Sequence, residues 1–398
     1  MVVVFRPEGA RWRKPPETFS TRMAQPNRST LTLLLAGGPA LTVCGLAACE
    51  QLIGLEPGEL RATTTTNSTS TTGTPSQGGG GAAGAGGAGG YASGGSAGAG
   101  GGSGVVELAF GQLDPLMIAV DETNVYWTNE AGSGSVVRVS ISGGSPTVIA
   151  EGQTSPVGIG VDSTHVYWAA EENNEVRYAL KDGQGALLFA QALPASHPTG
   201  LAVDATKVVW TEWGDGYVRS GTTPPPPTIT QLDAYGGTDG TLGAVAMAGD
   251  YAYWLNNSNG SVARQLLQGG GTREEWVPGG TADGYWGIAV SGTIVYLTNE
   301  TDGTVTWFDA NVPMAQPHEI ASGQVSPRGI AVDGNFVYWA NGAGGVEGSI
   351  QRWQVPDGPI QILATGQNGP AGIAVDSANV YWTNLAGGTV AKVSKEPR

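Results

Sequence analysis

The segment Gly372-Ile373-Ala374-Val375-Asp376, followed after three residues by Val380-Tyr381-Trp382-Thr383-Asn384, decides how this chain is read. A short apolar run, an Asp-containing turn and an aromatic, β-branched run together mark a tight β-hairpin. Related versions stand at 118–129, 159–170, 201–212, 245–256, 288–299 and 330–341. The tryptophan position falls at Trp127, Trp168, Trp210, Trp254, Leu297, Trp339 and Trp382, with spacings of 41, 42, 44, 43, 42 and 43 residues. A repeat of that length without helical periodicity fits a four-stranded unit, seven times over.

The unit that begins at Pro115 shows the set. Strands are predicted at 116–120, 125–129, 136–141 and 147–150, with Gly143-Gly144 turning the chain between the last two. The two ends of the repeat region decide its topology. The final unit stops after its third strand, at Lys395-Glu396-Pro397-Arg398. Ahead of the first unit, Leu108-Ala109-Phe110-Gly111-Gln112-Leu113-Asp114-Pro115 parallels Ile149-Ala150-Glu151-Gly152-Gln153-Thr154-Ser155-Pro156, a fourth strand and its exit loop. The leading strand is therefore expected to complete the last unit, which removes the exposed edges of an open array. The expected fold class is all-β: a seven-bladed β-propeller of four-stranded blades over residues 105–398, closed by the N-terminal strand. Gly158, Gly200, Gly287, Gly329 and Gly372 recur at one place, as expected of strands crowded near an axis. The repeated tryptophan reads as filler between blades. Four prolines at 224–227 cannot donate to a ladder, so they are expected in an exposed loop between two strands.

The Tyr-Trp-Thr-Asn units at 126–129 and 381–384 resemble the YWTD repeats of low-density-lipoprotein-receptor propellers, and the inner run resembles NHL repeats. The resemblance implies the propeller fold. YWTD propellers usually have six blades and a final Asp where this chain has Asn, so the receptor's partners are not carried over. Trp210-Thr211-Glu212-Trp213-Gly214 resembles one blade of virginiamycin B lyase, a seven-bladed propeller that uses histidine, glutamate and magnesium for elimination chemistry. That likeness implies an alternative catalytic pair, His197 and Glu212. The family's histidine lies nearer the inner strand, where this chain has Thr199. Regucalcin-like lactonases bind calcium in a propeller mouth, but none of their motifs is found.

The front of the chain has a different composition. Residues 31–48 are mostly apolar, follow Arg28 and end in Leu46-Ala47-Ala48-Cys49. A basic start, a short apolar core and small residues before a cut make a secretory signal over 1–48, with Met23 the alternative start. Gly37-Gly38-Pro39 argues against a stable spanning helix. Leu-Ala-Ala-Cys resembles the bacterial lipobox, which implies lipidation at Cys49 and anchoring through two or more acyl chains. Cys44, after Val43, is the poorer match. Residues 49–104 then form a Thr/Ser run and Gly/Ala/Ser repeats, too poor in apolar side chains to offset ordering entropy. A Gly-rich tether of that length reaches about 40 Å root-mean-square. Cys44 and Cys49 are the chain's two cysteines, so a disulfide framework, a cysteine zinc site or a cysteine nucleophile is excluded further on.

Six basic and two acidic residues precede Glu50, and removing that +4 from the formal −15 leaves −19 for the rest. Such a surface repels phosphate backbones, so nucleic acid is not expected as a partner. The second-to-third strand loops begin at Glu130, Glu171-Glu172, Glu212, Asn256, Asn299-Glu300, Asn341 and Asn384. These residues are expected to ring one mouth of the channel with carboxylates and amides. Oxygen donors of that kind suit a cation or a polyhydroxylated ligand, and the same residues are also ordinary turn formers. The repeated Asp121, Asp162, Asp204, Asp333 and Asp376 are expected to cap turns at the opposite end. The functional expectation is a monomeric, exported, non-catalytic binding propeller, lipid-anchored to the outer membrane or cell surface. Its ligand would be a protein, a glycan or a small molecule. No cofactor is expected, with calcium or magnesium at the mouth as the alternative. A lyase or hydrolase, and a structural or adhesive envelope protein, are the other function classes. Labelling cells with a palmitate analogue should mark the wild-type protein and not Cys49→Ala; label retained on the variant would refute the anchor.

Overall fold

The computed structural model describes residues 104–234, 241–276, 284–342 and 347–396. The signal segment, Cys44, Cys49 and nearly all of the tether lie outside the described residues. Seven separate four-stranded antiparallel sheets follow one another along the chain, and each is a blade. The inner strands are Pro115–Val120, Pro156–Val161, Pro198–Val203, Leu242–Ala248, Tyr285–Ser291, Pro327–Val332 and Pro370–Val375. Blade 1 continues outward through Asn124–Asn129, Ser135–Ser140 and Thr147–Glu151, each within a residue or so of its expected place.

Blade 7 takes its fourth strand from the front of the chain. Val106–Ala109 pairs antiparallel with Thr389–Ser394, setting Val106 opposite Lys392 and Ala109 opposite Val390. The closing strand starts two residues earlier than expected and ends before Phe110, whose side chain is exposed. A second bond closes the ring deeper inside. The inner and second strands of several blades slip register by a bulge, as between Pro370 and Ile373, which leaves an inner-strand N–H without a ladder partner. In blade 7 the Thr383 hydroxyl accepts that proton from Gly372 N at 2.9 Å and donates to Leu116 O of blade 1 at 2.8 Å. Thr128 joins blade 1 to blade 2 in the same way, through Met117 N and Val157 O, both at 3.1 Å. Thr211 and Thr298 join blades 3 to 4 and 5 to 6. Blades 2, 4 and 6 carry Ala169, Leu255 and Ala340 at this place.

The recurrent glycines answer to the same contact. A Cβ on Gly372 would stand 2.5 Å from Leu116 O, and one on Gly158 would stand 2.5 Å from Thr199 O. The crowding comes from the neighbouring blade's inner strand rather than from the axis itself. All six repeated tryptophans and Leu297 are buried between blades. At the other end of the hairpins of blades 1, 2, 3, 6 and 7 the Asp cap is built as expected. In blade 7, Asp376 accepts from the N–H groups of Ala378 and Asn379 at 2.7 and 2.6 Å and from the Tyr381 hydroxyl at 2.7 Å. The prolines at 224–227 sit between the strands Tyr217–Thr222 and Ile229–Ala234.

Thr383→Val keeps the volume but strips the partners from a buried N–H and a buried carbonyl. At ~1–3 kcal/mol per buried orphan, it should lower unfolding stability in urea by about 2–3 kcal/mol. A change below ~0.5 kcal/mol would show that this bond does not hold the ring shut.

Candidate functional site at the channel mouth

One backbone hydrogen bond recurs in all seven blades and builds the mouth. The residue that opens each second-to-third strand loop donates its N–H to the residue just before, or at, the start of the inner strand. The pairs are Glu130 to Asp114, Glu171 to Ser155, Trp213 to His197, Asn257 to Thr241, Glu300 to Gly284, Gly342 to Ser326 and Leu385 to Gly369. The two kinds of loop therefore meet on one face, as the repeat pattern implied. Asp114, Ser155, His197 and Ser326 hold φ of 52°, 46°, 52° and 48° there, a left-handed turn that costs an L-residue roughly 1–2 kcal/mol.

The expected amides do not reach the mouth. Asn256, Asn299, Asn341 and Asn384 are all buried within their blades. Asn384 Nδ2 donates to Gln367 Oε1 at 3.1 Å and to Thr389 Oγ1 at 3.0 Å. Asn341 does the same to Gln324 and Ser349. Asn299 donates to Asp302, and Asn256 accepts from Ser258. The glutamine in these networks went unnoticed in the sequence. It stands fifteen residues ahead of the tryptophan and accepts the indole N–H: Gln112 from Trp127, Gln153 from Trp168, Gln324 from Trp339 and Gln367 from Trp382, at 2.9–3.2 Å. A buried indole N–H needs such an acceptor.

Blade 3 explains Glu212 by the same rule. Ala195 occupies the glutamine position, and Glu212 Oε1 accepts the Trp210 N–H in its place at 2.8 Å. The carboxyl is 0% exposed and lies 3.0 Å from Arg219 Nε. Burial pushes its pKa up to about 7, against the Trp210 hydrogen bond and the Arg219 charge, and Asp215 adds to the rise. His197 packs edge-on against Trp213, ring centroids 5.3 Å apart, and its backbone N–H donates to Asn174 Oδ1. Its Nδ1 is buried without a partner, and among the described residues no hydrogen bond joins it to Glu212. Glu212 serves the core. The residues present therefore do not fit the magnesium-assisted acid–base pair that the lyase resemblance implied.

What does assemble is a set of carboxylates from blades 1 and 2. Glu171 is pushed up to about 7, first by burial and then by Glu130 and Glu172. Glu130 is raised by burial, Asp114 and Glu172, and is partly relieved by the Ser155 hydroxyl at 3.4 Å. Glu172 is exposed. Across the ring, Glu300 Oε1 accepts from Arg328 Nε and Nη2 at 3.2 and 3.1 Å. Arg328 is 1% exposed and was not anticipated from the sequence. Its signal was available: Leu116, Val157, Trp286 and Ala371 hold the same inner-strand position and form part of one apolar cluster, so a guanidinium there is the exception. Among the described residues, no three His, Cys, Asp or Glu side chains converge as a preformed metal-binding set.

No protein-family model matches the chain, and no curated protein sequence does. Among solved structures, it is similar to a streptogramin B lyase at 16% identity and a TM-score of 0.62, covering 72% of this chain and 96% of that one. Virginiamycin B lyase from Staphylococcus aureus matches at 15% identity and a TM-score of 0.61, over 73% of this chain and 98% of the other. The WD40 repeats of RRP9 match at 12% and 0.59, over 74% and 98%. Likeness at this identity establishes the fold: the protein is a seven-bladed β-propeller.

The carboxylate set carries a pH signature. Glu171 ionises at 4.5 in the open chain and at about 7 when folded, so folding favours its protonated form. Stability from this group is complete below pH 4.5 and falls as pH rises to about 7. Glu171→Gln should melt above the wild type at pH 8, and the two should converge near pH 4.5. Parallel curves across that range would show that Glu171 is not strained at the mouth.

Proposed function

We propose that the protein is an exported, envelope-anchored binding propeller, non-catalytic, that takes its ligand at the mouth formed by Glu130, Glu171 and Glu172. One observation carries this reading: Glu171 and Glu130 are both raised by burial and by the charges of neighbouring carboxylates, and among the described residues no ion pair relieves them. Like charges brought together at a cost are a reason to expect a ligand that relieves it. A ligand with a positive charge or a run of hydroxyls, presented by a protein, a glycan or a small molecule, would do so. Calcium or magnesium at the same carboxylates is the alternative. The lipid at Cys49 and the tether over 49–104 would set the ring off the membrane, leaving the mouth free to sample its surroundings.

A second reading, a lyase or hydrolase at the same face, draws support from the two lyases with a similar fold and from the partnerless Nδ1 of His197. Glu212→Ala cannot test it, because that change also unseats Trp210. His197→Ala can, since the ring makes no hydrogen bond that the blade needs. Under the binding reading, arrays of basic peptides, glycans and small cations, run with and without divalent ions, should yield a saturable ligand. Its affinity should fall at least tenfold in Glu171→Gln, and no turnover should be seen. Turnover that disappears in His197→Ala would replace that reading with the enzymatic one. Failure of every ligand class would favour a structural or adhesive role.

A further inference from the structure

The other end of the ring carries a recess of about 330 Å³. Its side chains are mainly aliphatic, from the ends of inner strands of five blades, among them Ile118, Val120, Val161, Val203, Val332 and Val375, and polar atoms share the wall with them. Asp162 and Asp204, from the hairpin turns that follow two of those strands, line it as well. The volume lies at the lower end of the range for small-molecule sites, and a mixed wall of aliphatic side chains and a few placed polar groups can hold one.

The turn aspartates are equivalent in the repeat, but one has lost a partner. In each, Oδ1 accepts from the backbone of the turn, as Asp204 does from Thr206 and Lys207 at 2.6 and 2.8 Å. In four of them Oδ2 takes the hydroxyl of the tyrosine five residues on: Asp121 from Tyr126, Asp162 from Tyr167, Asp333 from Tyr338 and Asp376 from Tyr381, at 2.7–2.9 Å. Lys181 and Lys395 also reach Asp121 and Asp333. Blade 3 has Val209 where the others have tyrosine. Lys207, the adjacent cation, extends instead to Leu267 O at 2.8 Å. Among the described residues, no donor reaches Asp204 Oδ2. The result is one half-buried, unneutralised carboxylate oxygen beside an aliphatic recess.

We infer that this recess is a second binding site, distinct from the mouth, for a small aliphatic monocation whose ammonium group pairs with Asp204 and whose hydrocarbon body lies against the valines. The wall contains no aromatic ring, so the body it suits is alkyl rather than a stacked aryl group. A carboxylate at the rim selects a cation over a neutral molecule of the same shape. An anion would meet the turn aspartates and be refused.

The test is calorimetric titration of the protein with n-butyl- to n-octylammonium chloride and with the matching n-alcohols. At ~0.8 kcal/mol per buried methylene, affinity should climb about fourfold for each carbon added until the recess is full. Asp204→Asn keeps the Oδ1 acceptor that caps the turn, so the ring should fold; ammonium affinity should drop about tenfold or more while the alcohols are unchanged. Val209→Tyr restores the repeat's own partner for Oδ2 and should weaken the ammonium series without altering net charge. The rise of affinity with chain length should be kept in Glu171→Gln, at the far face. Absence of a chain-length trend would overturn the inference, as would equal ammonium binding in Asp204→Asn and Val209→Tyr. So would a loss confined to Glu171→Gln, which would place the probe at the mouth.

Discussion

In blades 2, 3, 5 and 7 the inner strand lies so close to its neighbour that a methyl group cannot be added at the recurrent glycine, whereas blades 1 and 4 carry Met117 and Ala244 at that place. Everything else follows from that spacing. A Cβ on Gly158, Gly200, Gly287 or Gly372 would stand 2.5–2.7 Å from the next strand's carbonyl oxygen, so glycine is required at those four places. The threonine hydroxyl fits because it is small enough for the gap and can both accept and donate across it. It appears in blades 1, 3, 5 and 7, and the last of these reaches round to blade 1. Ring closure therefore has two independent locks, an outer strand borrowed from the N-terminus and an inner side-chain bond. A propeller held only by its outer strand would leave the axis free to part.

Around that contact the tryptophans fill the wedge between blades, and their burial creates a debt in the indole N–H. Blades 1, 2, 6 and 7 satisfy it with a glutamine from the preceding loop, and blade 3 does so with Glu212. This exchange shows how a repeat constrains its own variants. Once Ala195 removes the amide, an acceptor must come from elsewhere, and the position of the terminal Asn is near enough to supply it. The outcome is a buried carboxylate that looks like an active-site residue in sequence yet is committed to the core.

Blade 3 departs from the repeat at several places that reach the rims. Ala195, Glu212, Val209, His197 and the four prolines all belong to it. A symmetric ring needs every blade to keep the neighbour contact, but nothing requires every blade to keep the same loops or turn partners. Departures at the rims are thus free to acquire function, and here they touch both faces. The mouth's carboxylates arise differently, from blades 1 and 2 together, and could not come from a single unit.

The seven-fold count, the strand order within each blade and the closing strand were legible in the sequence. They follow from local hydrophobic alternation, turn residues and a period, and each of these is a property of consecutive residues. The aspartate caps were legible for the same reason, since Asp376 and Tyr381 are near neighbours in one hairpin. The destinations of side chains at blade ends were not. Asn384 and Glu171 both open or precede mouth loops and read alike as exposed polar residues. Yet one is drawn inward by a glutamine seventeen residues back, and the other is part-buried within the field of a carboxylate from the blade before it. Arg328 and the free oxygen of Asp204 belong to this second class, because burial and partnership depend on which distant strands stand alongside. Periodicity in the chain specifies the blades; only their closure into a ring decides what each rim residue touches.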